Sequence, residues 1–324
     1  MIQRGGHSVS IDALELPARP GSPALADAGG ALLLGANLSV RFNRPGRPGG
    51  GGAGQGADAE LTRVLSALEH RNERIQLWGM REARRLGDRA AAAVPKLMAL
   101  LHDEEFRLPF YAAETLGALG AVAREAWPVL VRATKSDSTS LSEAAVEALA
   151  ALRVPEALPA VIEAASHEEW SVRKRAMRAL GVYGLASLPT LIEGLGDEES
   201  AVAVEAVQQI ELLGAVALPQ LVAALQHRDA GVRMISVALI GIVEPPPVET
   251  IPELIPRLRD EVWGVRAATI EALDRLGARP ALEPLRDLLK EEPHPMVRKE
   301  ALAVISRLER GDALPGTAAS TGSP

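Results

Sequence analysis

Five of the six histidines in this 324-residue chain recur along it, at His70, His102, His167, His227 and His294. Histidine ligates metals and moves protons near neutral pH, so such a series is the first place to look for chemistry. A di-iron centre needs several carboxylates and imidazoles converging on one point. Only His167-Glu168 supplies an adjacent pair, with His102-Asp103 a distant approximation. There is no cysteine, which excludes disulfides, thiolate metal sites and a cysteine nucleophile. The run GGGGAGQG lies in a linker and does not join a strand to a helix as a phosphate-binding loop would. No GxSxG nucleophile elbow is present. The expectation is a chain with no catalytic residues, no metal and no cofactor. The histidines then read as polar turn residues and helix caps.

The elements that carry those turns repeat. Phrases like SHEEWSVRKRAMRALGVYG at residues 166–184 end at Gly87, Gly120, Arg153, Gly184, Gly214, Glu244, Gly277 and Glu309, spaced 33, 33, 31, 30, 30, 33 and 32 residues apart. Five of these eight marks are glycine, the usual residue of a left-handed helix C-cap. Twelve residues before each mark the side chain is apolar, from Ile75 and Leu108 to Val265 and Val297. Eight before, it is small, from Gly79 and Ala112 to Thr269 and Ala301. One before, it is apolar again, as in Leu86, Tyr183 and Leu308. These offsets trace one buried stripe at a period near 3.6, and the small middle residue lets a neighbouring helix come close. A second apolar stretch precedes each phrase and often opens with proline: Pro95, Pro128, Pro159, Pro189, Pro219 and Pro252. Proline suits a first helical turn, where its missing N–H costs nothing. The unit is helix, turn, helix, and a fixed period of this length marks a solenoid.

In these residues the chain resembles the HEAT repeat family, in the short form named for phycobilisome lyases. The matching features are the pairs Val172-Arg173, Val232-Arg233, Val265-Arg266 and Val297-Arg298, and turn acids such as Asp103, Asp197 and Asp260. The resemblance implies an all-α, right-handed α-solenoid of about eight repeats over residues 58–310. It also implies a ladder in which a turn acid meets a helix arginine of the adjacent repeat. Gln76, Pro109, Ser142 and Ala203 stand where that arginine is missing, so the ladder should break in the N-terminal half. Among enzymes of this type, deoxyhypusine hydroxylase takes its iron ligands from several His-Glu pairs, and the single pair here does not match it.

The flanks differ. Residues 1–57 are rich in glycine and proline and are expected to be a disordered arm, with Asp58 as the N-cap of the first helix. Residues 311–324 read as a disordered tail. Within the arm, ALLLGANLSVRF at residues 31–42 carries an alternation of Leu38, Val40 and Phe42. It is either a chance apolar island or a linear motif that joins a partner's sheet or folds back on the solenoid. The formal charge of −7 argues against nucleic acid as partner. No run of 18 apolar residues suggests a membrane span. No secretory leader is legible either, so a cytoplasmic protein is expected.

A groove remains as the place for function. The resemblance implies that second helices line the concave face, with the positions ten, nine, six and two before each mark pointing into it. There stand Trp78, Arg81, Phe110 and Tyr111 in the first two repeats, Arg175 and Arg178 in the fourth, and Met234, Ile235 and Ile242 in the sixth. Aromatic anchors and exposed apolar patches mark interfaces. The expected function is non-catalytic protein–protein interaction, as scaffold, adaptor or regulatory subunit binding a protein or peptide. An enzyme or enzyme subunit like the bilin lyases is the alternative. Trp170 and Trp263 share one turn position, matched by Phe106, and are expected to cover the turn against a neighbouring helix end.

Overall fold

The computed structural model describes residues 53–103 and 107–310, with side chains described from residue 58 on. Of the arm expected over residues 1–57, residues 53–57 belong to the first helix; the rest of it with the 31–42 island, Phe106 and the tail from residue 311 lie outside the described residues. The described residues form helices and turns with no strand among them.

Eight helix pairs follow one another. They are α1 (Ala53–Leu68) with α2 (Glu73–Leu86), α3 (Val94–Leu100) with α4 (Arg107–Leu119), α5 (Trp127–Ala133) with α6 (Thr139–Leu152), and α7 (Leu158–Ala164) with α8 (Trp170–Leu180). Then come α9 (Leu188–Gly194) with α10 (Ser200–Leu213), α11 (Leu218–Ala224) with α12 (Ala230–Ile240), α13 (Ile251–Leu254) with α14 (Trp263–Arg275), and α15 (Leu282–Glu291) with α16 (Pro295–Arg310). The six recurrent prolines all fall in the first turn of a first helix. A second proline, Pro256, follows in the seventh repeat, and there α13 gives way to 3-10 geometry over Ile255–Arg259. Proline removes the N–H that would continue the α-helical ladder.

Asp58 is inside α1, not its N-cap, and its carbonyl accepts from Thr62 Oγ1 at 2.8 Å. The glycine marks also differ from expectation. Gly87, Gly184 and Gly214 have φ near +60° but ψ of −128°, −136° and −142°, a region open only to glycine. Arg153, at φ 52° and ψ 42°, is a left-handed cap.

The eight small residues of the helix stripe are all buried. What they permit is close approach. A Cβ on Gly117 would meet Ala148 Cα at 3.0 Å, and one on Gly241 would meet Ala272 Cβ at 2.9 Å. Second helices therefore lie flank to flank, α4 on α6, α6 on α8 and α12 on α14, whereas α10 and α12 stand further apart than their first helices α9 and α11 do. In a curved array the more tightly spaced layer lies inside, so over the first five repeats, where second helices pack closer than first helices, the second helices form the concave side. One core runs through the whole array, from Val64 to Leu308.

By length and composition Ser200–Ala224 would pass for a membrane span, with mean hydropathy 1.5. Here it is α10 and α11 folded over at Gly214, and Val202, Ala206, Ile210 and Leu221 belong to the core.

Candidate protein-binding face

Two sets of cross-repeat pairs hold the second helices in place. The first runs along the turns within repeats. Arg173 donates to both oxygens of Asp197 at 2.8 and 2.9 Å, Arg233 to Asp260 at 2.8 Å twice, and Arg266 to Glu292 at 2.7 Å twice. Each arginine also donates to carbonyls of its own turn, such as His167 and Glu168 for Arg173. Where the arginine is missing, shorter side chains do part of this work. Ser142 Oγ donates to the Ser136 carbonyl at 3.0 Å, and Gln76 Nε2 reaches the Leu68 carbonyl at 3.4 Å. The ladder is thus confined to the C-terminal half, as expected, and Ala203 interrupts it there.

The histidines sit in this same turn. His70, His167 and His227 each accept at Nδ1 the backbone N–H two residues on, at 3.0, 3.0 and 3.1 Å. Asp197, Asp260 and Glu292 use a carboxylate oxygen for the same bond. These imidazoles are turn caps. His294 instead stacks on Trp263, ring centroids 4.2 Å apart, so that Trp263 covers the next repeat's turn. Trp170, in the same register, is exposed. Among the described residues no group of three or more His, Asp or Glu could hold a metal ion.

The second set crosses the concave face. Arg84 reaches Glu114 at 3.4 Å, Arg175 pairs with Glu147 and with Glu143 at 3.5 Å, and Arg307 meets Asp274 at 2.5 and 3.1 Å. Arg178 binds the buried Glu205 through two bonds at 3.1 and 2.7 Å, and Gln209 donates to Glu205 at 3.0 Å. That bond raises the Arg178 guanidinium above its usual value, and burial opposes the rise only in part. The basic patch expected at Arg175 and Arg178 is therefore neutralised by acids of the flanking repeats. The sequence signal for it was the acid at the matching inner positions of α6 and α10.

The residues expected in the groove separate into two groups. Met234 and Ile235 are 5% and 6% exposed, so they are core and offer no apolar patch. Glycines cause this: Gly241 lets α12 approach Ala272, and a Cβ on Gly264 would lie 3.1 Å from Met234 Sδ. Ile242 is half-buried against the same core. At the other end Trp78, Phe110 and Tyr111 are half-buried on α2 and α4. The Phe110 and Tyr111 rings meet edge to face at 5.0 Å and 77°, and the Arg107 guanidinium lies 5.9 Å from the Tyr111 ring centre. The Arg81 side chain is 74% exposed and comes only to 3.9 Å from Glu82.

The HEAT repeats profile matches residues 128–211 and 218–306, together more than half of the chain. No curated protein matches. Among solved structures the chain is similar to the Escherichia coli protein YibA, at 18% identity, TM-score 0.41, covering 82% of this chain and 100% of that one. It is similar to the complex of CpcE and CpcF of phycocyanin lyase from Nostoc sp., at 20% identity, TM-score 0.40, covering 82% and 100%. It is also similar to human deoxyhypusine hydroxylase, at 19% identity, TM-score 0.33, covering 79% and 96%. No property of those proteins is carried over at this level of likeness. The profile match and the eight helix pairs with their shared register make this chain a member of the HEAT repeat family.

Proposed function

We propose that this chain is a non-catalytic protein-binding solenoid, a scaffold, adaptor or regulatory subunit that holds a protein or peptide on the concave face of its first two repeats. The observation that carries this reading is the exposed Arg81 beside the half-buried aromatics Trp78, Phe110 and Tyr111. Arginine and large aromatics dominate binding energy at protein interfaces because they give wide contact at low entropic cost. Elsewhere on that face Arg175, Arg178 and Arg307 are already matched by cross-repeat carboxylates. A partner with an apolar anchor next to an acidic residue fits the first two repeats.

The test starts with capture of partners from native lysate by the intact chain. The captured protein is then purified and titrated against wild-type, Arg81→Glu and Tyr111→Ala chains. Each variant is expected to weaken binding at least about tenfold, equal to about 1.4 kcal/mol. Unchanged affinity in both variants overturns the assignment of the face. Stoichiometric iron or a bound chromophore in the purified protein overturns the non-catalytic reading.

A further inference from the structure

Turns lead from each second helix to the first helix of the next repeat, and the edge they form carries exposed apolar side chains on three successive repeats. These are Val182 and Leu185, Leu212 and Val216, and Val248, with Leu212 78% exposed. The strip has ends. Two residues before the mark, at the end of the second helix where its inner face meets this edge, the chain has exposed Val182 and Leu212 in the fourth and fifth repeats and half-buried Ile242 in the sixth, but Arg85 in the first and Arg275 and Arg307 in the last two. On the same edge, between the second and third repeats, lies an open groove of about 430 Å³ lined by Val122, Trp127 and Val154, with Arg124, Glu125 and Glu156 at its rim. Exposed apolar side chains that recur along one edge in this way mark a surface that is ordinarily covered.

We propose that it is covered by residues 32–42 of this same chain, lying extended along the edge from the third repeat towards the sixth. Topology puts the segment on that edge. First helices start there, and α1 is no exception: Glu60 pairs with Arg89 at 3.3 Å and Arg85 at 3.5 Å, at the turn Gly87–Ala93. The N-terminal end of α1 at Ala53 therefore lies on the side that carries the strip. Reach is sufficient. The chain from Phe42 to Ala53 spans up to about 36 Å when extended, and the third repeat is about 20 Å away at 8–10 Å per packed helix. Residues 32–42 add about 33 Å as a strand, enough to run over three further repeats.

Chemistry agrees with that direction. Leu38, Val40 and Phe42 alternate with Asn37, Ser39 and Arg41, giving one apolar side. Arg41, Arg44 and Arg47 then arrive near Glu125 and Glu156. Those two, with Glu211, Glu244 and Glu249, are exposed carboxylates that make no ion pair among the described residues, against Arg124 and Arg153 on the same edge. The solenoid edge is apolar and acidic, and the segment is apolar and basic.

The absence of native cysteine makes the test direct. Leu212→Cys in the full-length chain is labelled with a benzophenone maleimide, irradiated and mapped by mass spectrometry. The expected product is a monomer cross-linked from position 212 to residues 32–47. It is lost in a chain that also carries Leu38→Asp, Val40→Asp and Phe42→Asp, and it does not form from a label at Ala303→Cys. The unlabelled thiol at 212 is expected to react severalfold faster with maleimide in the triple-Asp chain than in its parent. Equal rates overturn the proposal. So does a label that finds no residue in 32–47, or a cross-link found only at dimer mass, which would make a second copy the occupant.

Discussion

Arg233 and Asp260 stand 27 residues apart and meet through two bonds of 2.8 Å, with side chains 8% and 4% exposed. The pair belongs to a rule within this one chain. Arg173, Arg233 and Arg266 are each followed in the next repeat by an acid at the facing turn position, Asp197, Asp260 and Glu292. Pro109, Ser142 and Ala203 are followed at that position by Ser136, His167 and His227, while Gln76, the exception, is followed by the half-buried Asp103. In the six later repeat junctions a shielded carboxylate stands where a guanidinium faces it and serine or histidine stands where none does, because an uncompensated buried charge is strongly destabilising.

Removing one partner of that pair is therefore expected to cost much more than removing both. Asp260→Asn or Arg233→Met alone is predicted to lower unfolding free energy by about 3–5 kcal/mol. The double variant Arg233→Met with Asp260→Leu should recover a large part of the loss. Urea unfolding followed by circular dichroism measures all three, and equal losses in the single and double variants would contradict the account.

The ladder also sets an acid limit. Burial resists ionisation of Asp260, but bonds from Arg233 and the Val262 N–H, with the charges of Arg233 and Arg257, outweigh it and hold the carboxyl below its usual value. Glu292 behaves alike: burial opposes, while Arg266 and the His294 N–H prevail and hold it low. A carboxyl lower in the folded state gives stability that is complete above its unfolded value and lost as pH falls through the folded one. The advantage of wild type over Glu292→Gln should thus be full above about pH 5 and shrink steadily below about pH 4. Unfolding free energies of both chains between pH 7 and 3 check this.

The missing rung can be installed. His227 accepts the Asp229 N–H, a bond that aspartate makes at 197 and 260. Ala203 is buried at the ladder's arginine position. Ala203→Arg alone should destabilise, because its cation loses water without gaining an acid. Combined with His227→Asp it should show a favourable coupling of about 1.5–3 kcal/mol in a double-mutant cycle. Strict additivity would show that the turn cannot admit the pair.

The two kinds of turn mark should respond oppositely to substitution. Arg153→Gly relieves a left-handed non-glycine residue and is expected to stabilise by about 0.5–1 kcal/mol. Gly214→Ala forces a side chain into φ 62°, ψ −142°, and is expected to cost about 1–3 kcal/mol. Thermal melts of the two variants, shifting in opposite directions, test both.

The array was legible in the sequence because each repeat states its own helices: prolines in first turns, small residues at the centre of a 3.6-period stripe, and a punctuating residue at each end. The ladder's arginines recur at one register, but that they meet turn acids was implied only by the resemblance to HEAT repeats. The candidate binding face was only half legible. Periodicity places a residue on a face but says nothing of how near the neighbouring helix comes. That distance depends on side chains some thirty residues away, such as Ala272 facing Gly241 and Gly264 facing Met234. It buried Met234 and Ile235. Acids contributed by α6 and α10 neutralised Arg175 and Arg178 in the same way. The sequence by itself determined a helical repeat protein, and the family resemblance implied the turn pairs that join its units. Tertiary packing alone decided which side chains of the inner layer still meet solvent, because exposure is a property of two surfaces together.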